Sequence, residues 1–310
     1  MATALVLSLL LAGCAAPDAQ VPPSDTSSRP DPTAGSGPEP TAEPSEGPEP
    51  SGAPPPEPQP APEPEQRTWA DPATATIRPG VQTFTDGGQC TADFVFTDRT
   101  DDSVYLGQAA HCASTGGPTE TNGCETGSKP LGTRVGIEGA SVDGTLAYSS
   151  WISMQARGEA NADACQYNDF ALVRIDPADV GKVSPAMRVY GGPTSMARPG
   201  DWGVGDKVLT YGNSDLRFGV EPIRPREGYV LSASDWTTSI YTAGPGVPGD
   251  SGSAVLTGDG QALGVLVTLQ SVPPAGNGVT SLAKALEYAA SAGSDVELAT
   301  WDLIDGGVLP

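Results

Sequence analysis

The chain has 310 residues, with 38 acidic side chains against 16 basic ones and a formal charge of −22 when its one histidine is neutral. That balance excludes charge-driven binding to nucleic acid or to anionic lipid, and in an exported protein it means solubility. The length would allow two average domains, but residues 17–66 hold 17 prolines and ten acidic residues against one arginine, Arg29. With almost nothing apolar to bury, that stretch cannot offset the entropy of ordering and is expected to be a disordered spacer.

Ahead of the spacer, the apolar run 2–12 is too short to cross a bilayer permanently but suits the core of a signal peptide. Leu11-Ala12-Gly13-Cys14 resembles a bacterial lipobox, in which the signal is cut before the cysteine and the cysteine is lipidated. No Lys or Arg precedes the run. The expected layout is a lipoprotein signal over 1–13, then lipidated Cys14 and a Pro/Glu-rich linker over 14–70. The protein would then be tethered in the cell envelope, at the outer face of the cytoplasmic membrane, touching the membrane only through its lipid. Otherwise it would be secreted.

From residue 80 onward, short apolar runs such as Phe94-Val95-Phe96, Ala171-Leu172-Val173 and Leu263-Gly264-Val265 alternate with Gly, Asp, Asn and Pro turns. That spacing predicts an all-β barrel or sandwich. Residues 177–201 are rich in Pro and Gly and read as a crossover. Residues 281–292 read as the one helix, capped by Ser281 with Leu282, Ala285, Leu286 and Ala289 on one face. Setting Cys14 aside leaves Cys90, Cys112, Cys124 and Cys165, an even number that predicts two disulfides in an exported chain. No metal or cofactor is expected, because one histidine and scattered cysteines offer no paired ligand spacing.

The single histidine, His111, stands in Gly107-Gln108-Ala109-Ala110-His111-Cys112, so any histidine-based chemistry must use it. Asp169 opens the apolar run Asn168-Asp169-Phe170-Ala171-Leu172-Val173, where a carboxylate can be partly buried against an imidazole. Ser251 lies in Gly249-Asp250-Ser251-Gly252-Ser253, whose glycines let backbone N–H groups face a developing oxyanion. The order His, Asp, Ser excludes α/β-hydrolases and GDSL-type esterases, which need a histidine after the serine. Subtilisin order needs an Asp before the His among alternating helices and parallel strands, which these short runs do not provide.

These three motifs, in this order, resemble the chymotrypsin-like serine peptidases, most closely their secreted actinobacterial branch, over roughly residues 78–287. The resemblance implies two six-stranded antiparallel β-barrels, over 77–185 and 186–310, with a short C-terminal helix and the site in the cleft between them. It implies that Ser251 is the nucleophile, His111 the base, Asp169 its orienting acid, and the N–H groups of Gly249 and Ser251 the oxyanion hole. It also implies Cys90–Cys112, which leaves Cys124–Cys165.

The implied activity is a monomeric serine endopeptidase acting on peptides or proteins. The alternatives are an esterase with the same triad and a non-catalytic binding module on a protease fold. The pocket segment Gly244-Pro245-Gly246-Val247-Pro248 carries no acid, which disfavours cleavage after Lys or Arg. With Pro245, Val267 and Leu269 as pocket residues, a small or medium apolar side chain is expected before the scissile bond. The chain departs from the family in two ways. There is no Ile-Val-Gly-Gly-like start near Ile77, and the partner of Asp250 stays open, with Tyr211 and Arg217 nearby.

Overall fold

The structure is a computed structural model that describes residues 67–86, 88–117, 120–270 and 276–303. The expected signal peptide, the expected lipidation site Cys14 and nearly all of the expected linker lie outside the described residues.

Seven strands come first: β1 (Gln82–Thr85), β2 (Gly88–Thr91), β3 (Val95–Asp98), β4 (Val104–Gln108), β5 (Arg134–Ile137), β6 (Gly144–Ser149) and β7 (Ala171–Arg174). Two helices fall between β6 and β7: α1 (Ser150–Arg157) and α2 (Ala162–Tyr167). Six strands follow: β8 (Lys207–Tyr211), β9 (Pro225–Ala233), β10 (Thr237–Thr242), β11 (Ala254–Thr257), β12 (Ala262–Gln270) and β13 (Gly276–Ser281). The chain then forms α3 (Leu282–Ser291) and β14 (Val296–Leu298).

The later strands close a barrel in the order β10-β13-β12-β11-β8-β9. Val208, Val230, Ile240, Val255, Leu263, Leu266 and Val279 fill it. Strand alternation decides what points inward: in β9 the buried positions are Arg226, Gly228 and Val230, every second residue. The first seven strands and β14 form one antiparallel sheet, ordered β14-β3-β4-β7-β6-β5-β1-β2. The all-β class and the six-stranded barrel are as expected. The first unit carries eight strands where six were expected: β1–β7 already make seven, and β14 returns from beyond α3 to pair with β3, Val296 opposite Asp98. Its core is Val95, Leu106, Val135, Leu146, Val173 and Trp151.

A second cluster joins the two units, with Phe94, Phe96, Phe170 and Leu172 from the sheet meeting Leu209, Tyr211, Leu256 and Leu282. Phe96 and Phe170 pack edge to face at 5.7 Å, a geometry that aligns positive ring edges with negative faces. The crossover expected over 177–201 contains no strand of either unit. Ser281 caps α3 by accepting from the Lys284 N–H. Helices α1 and α2 are additions to the single helix expected. α1 is eight residues long and its only buried apolar residues are Trp151 and Met154, too short a stripe to register as a helical period beside a strand. Gly158 ends it in the left-handed conformation.

Candidate active site

Beyond β4 the chain turns through Ala109 into a 3-10 turn at Ala110–Ala113 that carries His111. Ala109 and Ala110 are fully buried, so larger side chains could not occupy this bend. The Cys90–Cys112 disulfide fastens the turn to β2, and Cys124–Cys165 ties the loop before β5 to α2. Both pairings are those the resemblance implied.

Asp169 is 5% exposed, between α2 and β7. Ser150, the first residue of α1, straps both of its neighbours. The Ser150 hydroxyl donates to the Asn168 carbonyl at 2.7 Å and accepts from the Phe170 N–H at 3.1 Å. Held this way, Asp169 grips the histidine twice. Its Oδ2 lies 2.6 Å from His111 Nδ1, and its Oδ1 accepts the His111 backbone N–H at 2.9 Å. With Nδ1 occupied, Nε2 is left as the basic nitrogen. Burial of the ring disfavours its charged form, but the charge and hydrogen bond of Asp169 outweigh that. The net effect raises the imidazole pKa above its usual 6.5.

The Ser251 loop is stitched to the same place by backbone. Thr91 N–H donates to the Ser251 carbonyl at 2.8 Å, and Thr91 follows the bridged Cys90. Gly252 has φ +88°, and a Cβ there would stand 2.3 Å from the Thr91 carbonyl and 3.1 Å from Ala109 N. Only glycine lets the loop come so close to the histidine turn. Among the described residues no hydrogen bond joins Ser251 Oγ to the imidazole, a contact that in unliganded sites commonly tightens only with substrate.

The N–H groups of Asp250, Gly252 and Ser253 are spent on the carbonyls of Val247, Leu266 and Asp250. Those of Gly249 and Ser251 have no acceptor among the described residues. The Pro248 carbonyl accepts from Ser214 Oγ at 2.5 Å, so the Gly249 N–H of the same trans peptide faces the other way. One of the two free N–H groups is the serine's own and the other lies two residues before it, the pair an oxyanion site requires.

Asp250 is fully buried, and its partner is Arg217. Arg217 Nε lies 3.1 and 3.2 Å from its two oxygens and Nη2 contacts Oδ2. The N–H groups of Ser214 and Val247 add bonds of 3.1 and 3.0 Å. Tyr211 instead donates its hydroxyl to Glu221.

The expected pocket residues are less uniform. Val267 and Pro245 are half-buried, whereas Leu269 is 52% exposed. The sequence reading missed Thr91, Gln89, Ser214 and Ser150, whose hydroxyls and amide hold the loops. Such residues carry no local signal, because their partners are 18 to 160 positions away. The ring and sulfur atoms of His111, Cys90 and Cys112 lie within 4.8 Å of one another, but both sulfurs belong to the disulfide, so no thiolate pair can hold a metal there. Two surface depressions, lined by residues such as Asp143 and Arg174 or Glu120 and Gln166, include none of His111, Asp169 and Ser251.

No protein-family model matches the chain, and no curated protein matches it. Solved structures do. Thermobifida fusca protease A is 20% identical, with a TM-score of 0.48 over 73% of this chain and 100% of that one. A Nocardiopsis protease is 17% identical, with 0.46 over 72% and 99%. Cellulomonas bogoriensis chymotrypsin is 16% identical, with 0.44 over 72% and 98%. These likenesses assign no residue a role.

Proposed function

We propose that the chain is an extracytoplasmic serine endopeptidase that uses His111, Asp169 and Ser251. One observation carries this reading: the Asp169 carboxylate holds both the ring and the backbone of the chain's only histidine, beside a glycine-flanked serine with unspent N–H groups. In the reaction, Ser251 Oγ attacks the peptide carbonyl while His111 Nε2 takes its proton. Asp169 stays ionised and stabilises the imidazolium formed. The carbonyl oxygen, now negative, receives the N–H groups of Gly249 and Ser251. Collapse breaks the C–N bond as His111 returns the proton to the leaving amine. Water, activated by the same nitrogen, then hydrolyses the acyl-enzyme. In this reading Cys14 anchors the enzyme through its lipid, and residues 17–66 space it from the membrane.

The test is fluorophosphonate labelling of the intact chain, followed by turnover of matched peptide and ester substrates. Labelling at Ser251 that disappears in Ser251→Ala and His111→Ala supports the reading. An unlabelled chain would make it a binding module, and turnover of esters alone would make it an esterase.

A further inference from the structure

Arg226 is 3% exposed, and the alternation of β9 turns it into the barrel. Among the described residues its Nε, Nη1 and Nη2 have no hydrogen-bond acceptor. A guanidinium offers five donors, and leaving them all unused inside a protein is costly. Among the described residues its one ion-pair partner is Asp250, whose Oδ2 lies 3.5 Å from Arg226 Nη2. That carboxylate is already taken by Arg217, Ser214 and Val247. Two buried cations therefore share one carboxylate, and one positive charge is in surplus. Burial lowers the Arg226 pKa to about 10, so it remains protonated at neutral pH.

The surplus faces a particular place. A Cβ on Gly246 would stand 3.3 Å from Arg226 Nη1, 3.1 Å from Leu266 Cδ2 and 2.9 Å from Asn277 Nδ2. Gly246 lies in the segment just before Ser251, and the Leu266 carbonyl accepts the N–H of Gly252, next to that serine. Leu266 thus contacts both the backbone next to the serine and the Gly246 position that borders Arg226. Asn277 fixes that position, since its Oδ1 accepts from the Gly246 N–H at 2.8 Å and its Nδ2 donates to the Thr268 carbonyl at 3.0 Å.

We propose that Arg226 is the specificity residue of this site, binding the carboxylate of a Glu or Asp side chain immediately before the scissile bond. The inference rests on the serine-peptidase reading and replaces the apolar preference expected from Pro245, Val267 and Leu269. A carboxylate supplies the acceptors that Arg226 lacks, and it can take two guanidinium N–H groups in parallel. A Lys or Arg side chain would meet like charge, and an apolar one would leave the guanidinium unpaired.

The experiment uses peptides that differ only in the residue before the cleaved bond, with Glu, Asp, Gln, Ala, Phe and Lys, on intact protein labelled in parallel with fluorophosphonate. Glu or Asp should exceed Gln, the neutral isostere, by at least about tenfold in kcat/KM, the scale of a charged hydrogen bond. Arg226→Met should bring that ratio close to one. A labelled enzyme that prefers apolar or basic residues overturns the proposal. So does a variant that loses all substrates equally and keeps the ratio, since Arg226 would then act only on Asp250. Should Arg226→Met fail to fold, the parent's Glu-to-Gln ratio decides alone. Absence of both labelling and cleavage sinks the peptidase reading and this proposal with it.

Discussion

Arg217 and Asp250 form a buried pair in which one guanidinium nitrogen, Nε, lies 3.1 and 3.2 Å from the two carboxylate oxygens. Arg217 also donates to the carbonyls of Ile223 and Pro245, at 3.1 and 3.4 Å. One side chain therefore links the 215–223 loop, the pocket segment and the residue preceding the candidate nucleophile. No freed N-terminal amine is needed to hold Asp250. Removing Arg217 leaves the buried carboxylate with two backbone N–H bonds and the more distant Arg226. Arg217→Ala is expected to cost about 3–5 kcal/mol, because an ionised group is left without its main partner. Chemical denaturation measures that loss. Fluorophosphonate labelling of Ser251 should fall with it, and unchanged stability and labelling would remove the pair from the account.

The single histidine makes the acid–base chemistry directly observable, because one imidazole titrates. Its pKa is raised, with the Asp169 charge overcoming the opposing effect of burial. Turnover should therefore rise with pH through a midpoint above 6.5, as the base loses its proton. Asp169→Asn should lower that midpoint in an NMR titration and reduce kcat by about 10⁴. The linkage to stability has the opposite sense. The raised pKa contributes stability that is full below the unfolded value and lost as pH rises through the folded one. A midpoint that does not move in the variant would mean Asp169 does not act on the ring.

The Cys90–Cys112 bridge fastens the histidine turn to the strand that also holds the Ser251 carbonyl. Replacing both cysteines by Ala should destabilise the fold by about 2–5 kcal/mol. It should also weaken labelling at Ser251 more than loss of Cys124–Cys165 does. Non-reducing peptide maps that join Cys90 to Cys124 would contradict the first sheet as drawn.

Gly107 faces Asp93. A Cβ there would stand 1.8 Å from the Asp93 carboxyl, which is fully buried and has, among the described residues, one hydrogen bond, from the Phe94 N–H. Gly107→Ala should cost at least about 1–3 kcal/mol through overpacking. Burial pushes the Asp93 pKa well above the carboxylate range, so the folded state holds a proton that the unfolded chain releases. Stability should consequently decline as pH rises from the ordinary carboxylate pKa toward the raised one. Asp93→Asn should flatten that decline, and an identical pH profile in the variant would exclude Asp93 as its source.

The proposed lipidation of Cys14 predicts a membrane-bound protein. Mass spectrometry of the mature N-terminus should find a modified Cys14, and Cys14→Ala should release the protein from the membrane fraction. An unmodified chain beginning after residue 14 would refute the anchor.

Much of the candidate site could be read from the chain because scarcity and order are one-dimensional properties. A lone histidine leaves no choice of base, and His111, Asp169, Ser251 is one order out of several. The β class was legible for a similar reason, since short apolar runs between turn residues betray strands without any knowledge of their partners. The helix at Leu282–Ser291 was visible through its capping serine and its apolar face. Helix α1 was not, since its eight residues owe their helicity to Trp151 and Met154 packing into a core. Nor could β14 be assigned to the first sheet, because its pairing partner β3 is some 200 residues upstream. The charge arrangement around Asp250 belongs wholly to tertiary structure. Arg217 and Arg226 lie 33 and 24 positions before it, one in the loop after β8 and one on β9, and only the fold brings both to its carboxylate. Local sequence can declare which groups are present, but a buried charge acquires its partners only when the barrel closes around it.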